Sequence, residues 1–387
     1  MNILFITSYY PEPLIGGIER VTNLLSRYLS NKGYCIYCLF FNESQYDYAY
    51  LFIEGCRMND LFDKVWISDY IKNHQIDIII NQSHFFYTPF LRTAITETHC
   101  KILTCIHSST QFRAFSLRDA IKASSGIKRI AISCMYPLYK WYSEKKLIQA
   151  HKASYQDSDK TLLLSETFIP LYEHKLGLRR NEAKLGYLHN PLSFEETYPV
   201  AELDKKEKIV LVVARLYENQ KKLSLLLKVW EKIEKKRVVE GWKLVIVGDG
   251  EDRQMYQRMT ENMNLQQISF EGAKTSLPYY RKASIFAMTS IWEGLPMTLL
   301  ESLQMGVVPI VMDSFPSVRD VVIEGINGKI VPYGDVDAFC SSLCDMMADE
   351  CKRMEYAKNC IEKSREFTME VIGEKWIKDL NELLLNH

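Results

Sequence analysis

Short apolar runs alternate with segments of helical period along almost the whole chain. Asn2–Thr7 is apolar and short, and a loop with Pro11, Pro13, Gly16 and Gly17 follows it. Val21, Leu24, Leu25, Tyr28 and Leu29 then recur at the spacing of one helix face, and the helix ends near Gly33. Tyr34–Phe41, Ile76–Ile80, Lys101–Ile106 and Thr161–Leu164 read as further strands. The same rhythm returns in the second half. Ile209–Ala214, Leu244–Val247, Ile268–Phe270, Ser284–Met288 and Val307–Val311 read as strands. Leu223–Ile233, Arg253–Met263, Leu277–Arg281 and Pro296–Met305 read as the helices between them. From Lys352 the pattern is helical to His387, in two segments broken near Phe367 and Thr368. Strands alternating with helices predict parallel sheets with helices on both faces.

The two series part at Leu188–Pro199, around His189-Asn190-Pro191, and a charged link, Glu202–Lys208, follows. At 387 residues the chain is too long for one ordinary core. The expected division is residues 1–190, residues 191–365, and a C-terminal helix over 366–387 that packs back on the first domain. Apolar content of 47% and charge of 25% are those of a soluble globular protein. A formal net charge of zero gives no support to general nucleic-acid binding. The ten cysteines show no metal-ligand spacing. Cys35 and Cys38 form a C-x-x-C, but inside a strand-like run, so reduced thiols in a cytosolic protein are expected. Met1–Ile6 reads as a first strand and not as a signal peptide. No stretch approaches the ~18–20 apolar residues of a membrane span. The expected place is the cytoplasm, with any membrane contact peripheral, at the inner face of the cell membrane.

Residues 111–152 break the rhythm. They carry Arg113, Arg118, Lys122, Lys128, Arg129, Lys140, Lys145, Lys146 and Lys152 against Asp119 and Glu144, with Tyr136, Tyr139, Trp141 and Tyr142 interleaved. Two readings stand: a helical pair with a solvated basic face, or a surface for anionic lipid or a lipid-linked phosphate.

The densest chemistry lies in residues 291–306, Ile-Trp-Glu-Gly-Leu-Pro-Met-Thr-Leu-Leu-Glu-Ser-Leu-Gln-Met-Gly. It reads as a strand end, a loop and a helix. Pro296 is expected at the first helical position, where its missing N–H costs nothing. Leu299, Leu300 and Leu303 give the inner face, and Gly306 closes the helix. The loop thus brings free backbone N–H groups and a positive helix end to one point, which suits a phosphate. Glu293 and Glu301 flank this point. On a helix they would lie roughly 12 Å apart, too far for a glycosidase pair. Two separate hydrogen-bonding jobs on one elongated ligand are expected, and a nucleotide-sugar has that shape.

With seven residues between its glutamates, the Glu-Gly-Leu-Pro…Glu stretch resembles the signature of the retaining glycosyltransferases of family 4, which have the GT-B fold. The resemblance is strong from Ile209 to Asp337 and looser over the first 190 residues. It implies an α/β protein of two doubly wound, Rossmann-like parallel-sheet domains facing across a cleft, with C-terminal helices.

Several residues gain expected roles. Gly16 and Gly17 precede a helix and let backbone approach a phosphate; the resemblance implies a loop over the donor pyrophosphate. They do not form the G-x-G-x-x-G of a dinucleotide site. His107 follows the strand Lys101–Ile106, where α/β sheets place ligands. It is either a packed histidine or, as the resemblance implies, a group near the donor sugar that orients sugar or acceptor. Arg215 ends a strand and Lys221 precedes a helix, a spacing from which both reach a diphosphate. Lys222 competes with Lys221 for that role. By resemblance, Gly248 lies beside the nucleoside, and Gly272 and Ala273 line the base. Glu301 takes the ribose hydroxyls and Glu293 those of the transferred sugar, while Gly294, Leu295, Met297 and Thr298 offer N–H groups to sugar and phosphate. Asp313 ends one more strand without a firm role.

The function implied is retaining transfer of a hexosyl unit from a UDP- or GDP-sugar to a glycan or lipid-linked acceptor, in cell-surface polysaccharide or lipopolysaccharide synthesis. Glu293, Arg215, Lys221 and His107 are the expected catalytic residues. No Asp-x-Asp motif is present, so no metal and no cofactor is expected beyond the sugar nucleotide. Two alternatives share this architecture: a non-hydrolysing sugar-nucleotide epimerase, and a catalytically silent nucleotide-sugar-binding partner.

Overall fold

The computed structural model describes residues 1–12, 16–42, 52–58, 62–82, 84–107, 126–236 and 241–385, together with Leu117 and Ile121. The chain separates into two compact units, Met1–His189 with Ile372–His387, and Asn190–Val371.

The first unit is built on strands β1 (Asn2–Thr7), β2 (Cys35–Phe40), β3 (Glu54–Arg57), β4 (Ile78–Asn81), β5 (Lys101–Ile106), β6 (Lys160–Leu163) and β7 (Leu185–Tyr187). They pair in parallel in the order β3-β2-β1-β4-β5-β6-β7. Helices α1 (Gly17–Asn31), α2 (Lys64–Asn73), α3 (Thr88–Ala94), α4 (Gly126–Cys134), α5 (Tyr136–Asp157) and α6 (Ile169–Leu176) connect them. The central strands are apolar on both faces because helices cover both: Ile3, Leu4, Phe5 and Ile6 are all fully buried.

The second unit repeats the plan with β8 (Ile209–Val213), β9 (Lys243–Val247), β10 (Ile268–Gly272), β11 (Ile285–Met288), β12 (Val308–Asp313) and β13 (Lys329–Pro332). Their order is β10-β9-β8-β11-β12-β13, again parallel. The helices are α7 (Leu223–Lys235), α8 (Arg253–Asn262), α9 (Leu277–Lys282), α10 (Met297–Gln304), α11 (Val336–Ala348) and α12 (Glu350–Ser364). Trp230, Leu226, Ile246 and Phe339 fill its core. In both sheets the order reverses beside the first strand, at β1/β4 and at β8/β11. In open α/β sheets the crevice for a ligand opens there, beyond the C-terminal strand ends.

Some expectations shift. Pro296 is the N-cap of α10, in extended backbone, and Met297 is its first helical residue. The proline therefore sets the entry of the chain and does not itself join the helix. The return to the first unit starts at Ile372 and not at residue 366. Leu192 N donates to Phe367 O at 2.7 Å and the Phe367 ring is buried, which keeps that turn with the second unit. Helix α13 (Met369–Leu385) then supplies the first unit with its last element. Lys160 Nζ meets Asp379 at 2.6 Å, and Tyr28 and Lys32 both donate to Glu374. A side chain at Gly373 would meet the Tyr28 ring at 2.2 Å, so glycine is required there by the ring.

Cys35 and Cys38 lie in β2 as free thiols. Three residues apart on a strand they point to opposite faces, and burial pushes the Cys38 thiol up to about 12. Among the described residues no helix is long and apolar enough to cross a membrane. Of the basic segment, Arg113, Arg118, Asp119 and Lys122 lie outside the described residues, as do the side chains of Lys128 and Arg129.

Candidate functional site

In the second unit Arg215, Lys221 and Glu293 lie in the loops after β8 and β11, at the switch point of the sheet. The chain leaves β8 through Ala214 and Arg215. Arg215 is exposed, with its guanidinium 5.4 Å from the centre of the Tyr217 ring. A one-turn helix, Glu218–Lys221, follows. Lys221 Nζ donates to Glu293 Oε1 at 2.6 Å, and the two side chains are only 15% and 9% exposed. Gln220 Nε2 reaches the other oxygen of Glu293 at 3.4 Å and the Trp292 carbonyl at 3.2 Å. Ile291 N donates to Gln220 O at 2.7 Å. The loop after β11 is thus laced to the turn after β8, and both oxygens of Glu293 are engaged.

Lys222 is turned elsewhere. Its backbone is left-handed, with φ +49°, and its Nζ meets Glu218 at 3.2 Å. Glu218 also accepts from Ser224 Oγ and the Tyr256 hydroxyl, so that lysine belongs to a packing cluster.

The carbonyls of the loop are held one by one. Ser317 Oγ donates to Gly294 O, and Asn190 Nδ2 donates to Leu295 O at 2.8 Å. Pro296 O accepts from Leu299 N at 3.0 Å. The N–H groups of Met297 and Thr298 begin α10 and have no acceptor within it, which leaves a positive helix end beside the Lys221–Glu293 pair. Asn190 Oδ1 is buried and finds no partner among the described residues. Glu301, one turn into α10, is 1% exposed, and Ser193 Oγ donates to its Oε1 at 2.7 Å. Gln304 fastens the same strap by donating to the carbonyls of Phe194 and Glu196.

The glycines at the ends of β9 and β10 have backbone reasons. Gly248 has φ +134°, and a Cβ there would lie 1.9 Å from Ala214 O. Gly248 N also donates to Gly272 O at 2.8 Å, which binds the three strand ends together. Gly272 has φ +78° and ends β10, with Ala273 next. Beside it the Lys274 and Tyr279 contacts hold the Glu271 carboxyl below its ordinary range. Asp313 is matched by Arg319 in a two-pronged pair at 2.5 and 2.7 Å, which accounts for it without a ligand.

Gly16, Gly17 and His107 stand in the first unit on separate elements. Gly16 is the N-cap of α1 in ordinary extended backbone, and Gly17 opens the helix. Glu19 Oε2 lies 2.5 Å from where a Gly16 Cβ would be. Glu19 is buried, and burial raises its carboxyl above the usual range. The start of α1 thus already carries a carboxylate that competes with a phosphate. His107 follows β5, and its Nε2 lies against Gln82 Oε1, which follows β4. Burial lowers its pKa to about 4, so the ring is neutral at pH 7. Gln82 is itself buried, and its Nε2 finds no partner among the described residues.

Residues 193–367 match the model of the family described as glycosyl transferases group 1. The second unit is a group 1 glycosyl transferase domain, and the chain is a glycosyltransferase. This glycosyltransferase is 25% identical over 377 residues to the amylovoran biosynthesis glycosyltransferase AmsD of Erwinia amylovora, covering 95% of this chain and 96% of that one. It is 28% identical over 210 residues, 54% of this chain and 58% of the relative, to a Campylobacter jejuni α-1,4-N-acetyl-D-galactosaminyltransferase whose name specifies a diphosphoundecaprenol-linked sugar. Its fold matches that of Anabaena HepE, solved in complex with UDP, with a TM-score of 0.75 at 14% identity, over 98% of this chain and 100% of HepE. The glycosyltransferase therefore has the two parallel-sheet, Rossmann-like units of the GT-B class.

Gln220, Asn190, Ser193, Ser317 and Gln82 were not singled out by the sequence. Gln220 borders Lys221 and Asn190 sits in the boundary tripeptide, but nothing local marks their partners.

Proposed function

We propose that this glycosyltransferase moves a hexosyl unit from a nucleoside diphosphate sugar to a glycan or lipid-linked acceptor, retaining the anomeric configuration, in the synthesis of cell-surface polysaccharide or lipopolysaccharide. The Lys221–Glu293 pair, set at the β8/β11 switch point beside the open start of α10, carries this reading. It places a cation, a hydrogen-bond acceptor and free N–H groups within one small region, as a sugar diphosphate requires. The relatives' names support the acceptor class, and the UDP held by HepE supports the donor class.

In the proposed reaction the bond between the anomeric carbon and the diphosphate oxygen stretches first. Arg215, Lys221 and the N–H groups of Met297 and Thr298 stabilise the charge that grows on the diphosphate. Glu293 accepts hydrogen bonds from the sugar hydroxyls, and Glu301 from the ribose. The acceptor oxygen bonds to the anomeric carbon on the face the diphosphate leaves, and its proton passes to a departing phosphate oxygen. Gly248, Gly272 and Ala273 are proposed to line the nucleoside with backbone groups, and Gly16 and Gly17 to approach the pyrophosphate. His107, neutral, is proposed to orient sugar or acceptor. The cations are proposed to act in place of a metal ion.

A nucleotide-sugar screen by thermal shift should find a stabilising donor. NMR of the product made from that donor should then show the donor's anomeric configuration, with turnover unchanged by EDTA. An inverted product would remove the same-face mechanism, and loss of turnover in EDTA would remove the cationic clamp as sufficient.

A further inference from the structure

Helix α5 leads two lives along its length. Its second half is anchored: His151, Ser154 and Tyr155 are buried, His151 stacks on Phe85 at 3.8 Å, and Ser154 donates to Thr88. From Ser133 to Ala150 no residue is buried. Ile130, Met135, Leu138, Trp141 and Tyr142 are each half exposed or more. Five large apolar side chains in thirteen residues form a patch, where single exposed ones would be ordinary.

The patch has a direction. Leu138, Trp141, Tyr142 and Lys145 fall at helical spacing on one stripe, and Lys146 borders it. The anchoring residues His151 and Ser154, with half-buried Leu147, define the opposite stripe, and Tyr155 and half-buried Ile148 lie between the two. Lys145 Nζ lies 5.2 Å from the Trp141 ring centre, and Lys146 Nζ 4.8 Å from that of Tyr142. Both lysines therefore run their stems along aromatic surface and carry their charge at its edge. Apolar and aromatic side chains rimmed by lysines complement a layer of acyl chains beneath anionic headgroups. A protein partner would need acidic groups at this one rim; an anionic bilayer supplies them everywhere.

We propose that the outward stripe of α5, with the α4–α5 elbow at Met135, docks on an anionic phospholipid bilayer. Leu138, Trp141 and Tyr142 enter the headgroup layer, and Lys145 and Lys146 meet lipid phosphates. Neither signal suffices alone, since a few interfacial side chains or a few lysines bind weakly and together hold. The purpose of such docking, access to a lipid-linked acceptor, rests on the function proposed above, but the docking itself is measured with neither donor nor acceptor present.

The test is co-sedimentation of the full chain with vesicles of phosphatidylglycerol in phosphatidylcholine, and with phosphatidylcholine alone. Binding is expected with the first and weak with the second, and it should fall as salt rises. Lys145→Glu with Lys146→Glu, and separately Leu138→Ser with Trp141→Ser, should each lower partition at least about tenfold. All four positions are exposed, so melting temperatures should not change. Brominated lipid should quench the parent's tryptophan emission more than that of Trp141→Phe, which needs no disruptive variant. Absent binding, equal binding by both double variants, or equal quenching would overturn the proposal. So would a dimer that Leu138→Ser with Trp141→Ser dissolves, because the stripe would then belong to a second copy. Docking without transfer would count against the proposed reaction alone.

Discussion

Lys221 and Glu293 are each other's nearest opposite charge in a place with little water. Removing one partner strands the other, which costs more than the pair contributes. Lys221→Met should therefore lower the free energy of unfolding by roughly 3 kcal/mol, and adding Glu293→Gln should recover most of it. Denaturant titration reads this; a Lys221→Met protein as stable as the parent would show that the pair is not held as described. Transfer should be lost in both variants. Burial of histidines gives a pH dependence of definite sign. His151 is held to about 4, below its ordinary 6.5. Between these values the unfolded chain binds more protons, so stability declines as pH falls from 6.5 to 4. The contribution of His151 is on the order of 3 kcal/mol, and His107 adds in the same direction. Thermal melts should show this decline, and His151→Gln should flatten it. The sequence marked Arg215 at a strand end, Lys221 just before a helix and Glu293 in the turn after a strand. It could not mark Gln220 and Ser193, whose bonds to the site span 73 and 108 residues.

Elements with strong periodicity were legible, and weak ones were not. Asn2–Thr7 and Lys101–Ile106 are strands with the bounds the apolar runs give. β3 reads Glu-Gly-Cys-Arg and β7 has three residues, and neither carries an apolar run. Both are edge strands, paired on one side, so tertiary pairing and not local pattern makes them. Glycine inside a helix is equally opaque. Gly373 in α13 looks like a defect until the Tyr28 ring is found against it. Gly373→Ala should lower stability by about 1–2 kcal/mol, overpacking outweighing the better helix propensity of alanine. Adding Tyr28→Ala should reverse the sign. If Gly373→Ala alone unfolds at the parent's denaturant midpoint, the ring does not occupy that space.

At the scale of the molecule, two units repeat one plan, and each reverses its strand order beside its first strand. The alternation of strands and helices carried that plan openly. The site was legible where it depends on strand ends and on the Glu-Gly-Leu-Pro…Glu order, and hidden where glycines serve backbone packing, as Gly248 does against Ala214. The central claim is that the second unit grips a nucleoside diphosphate with Arg215, Lys221 and the start of α10. Calorimetric titration of UDP and of GDP into the full chain and into Arg215→Ala tests it most directly. One nucleotide should bind the parent, and Arg215→Ala should bind it at least tenfold more weakly, a loss of about 1.4 kcal/mol or more. Equal affinity in the two proteins, or no binding of either nucleotide, would contradict the claim.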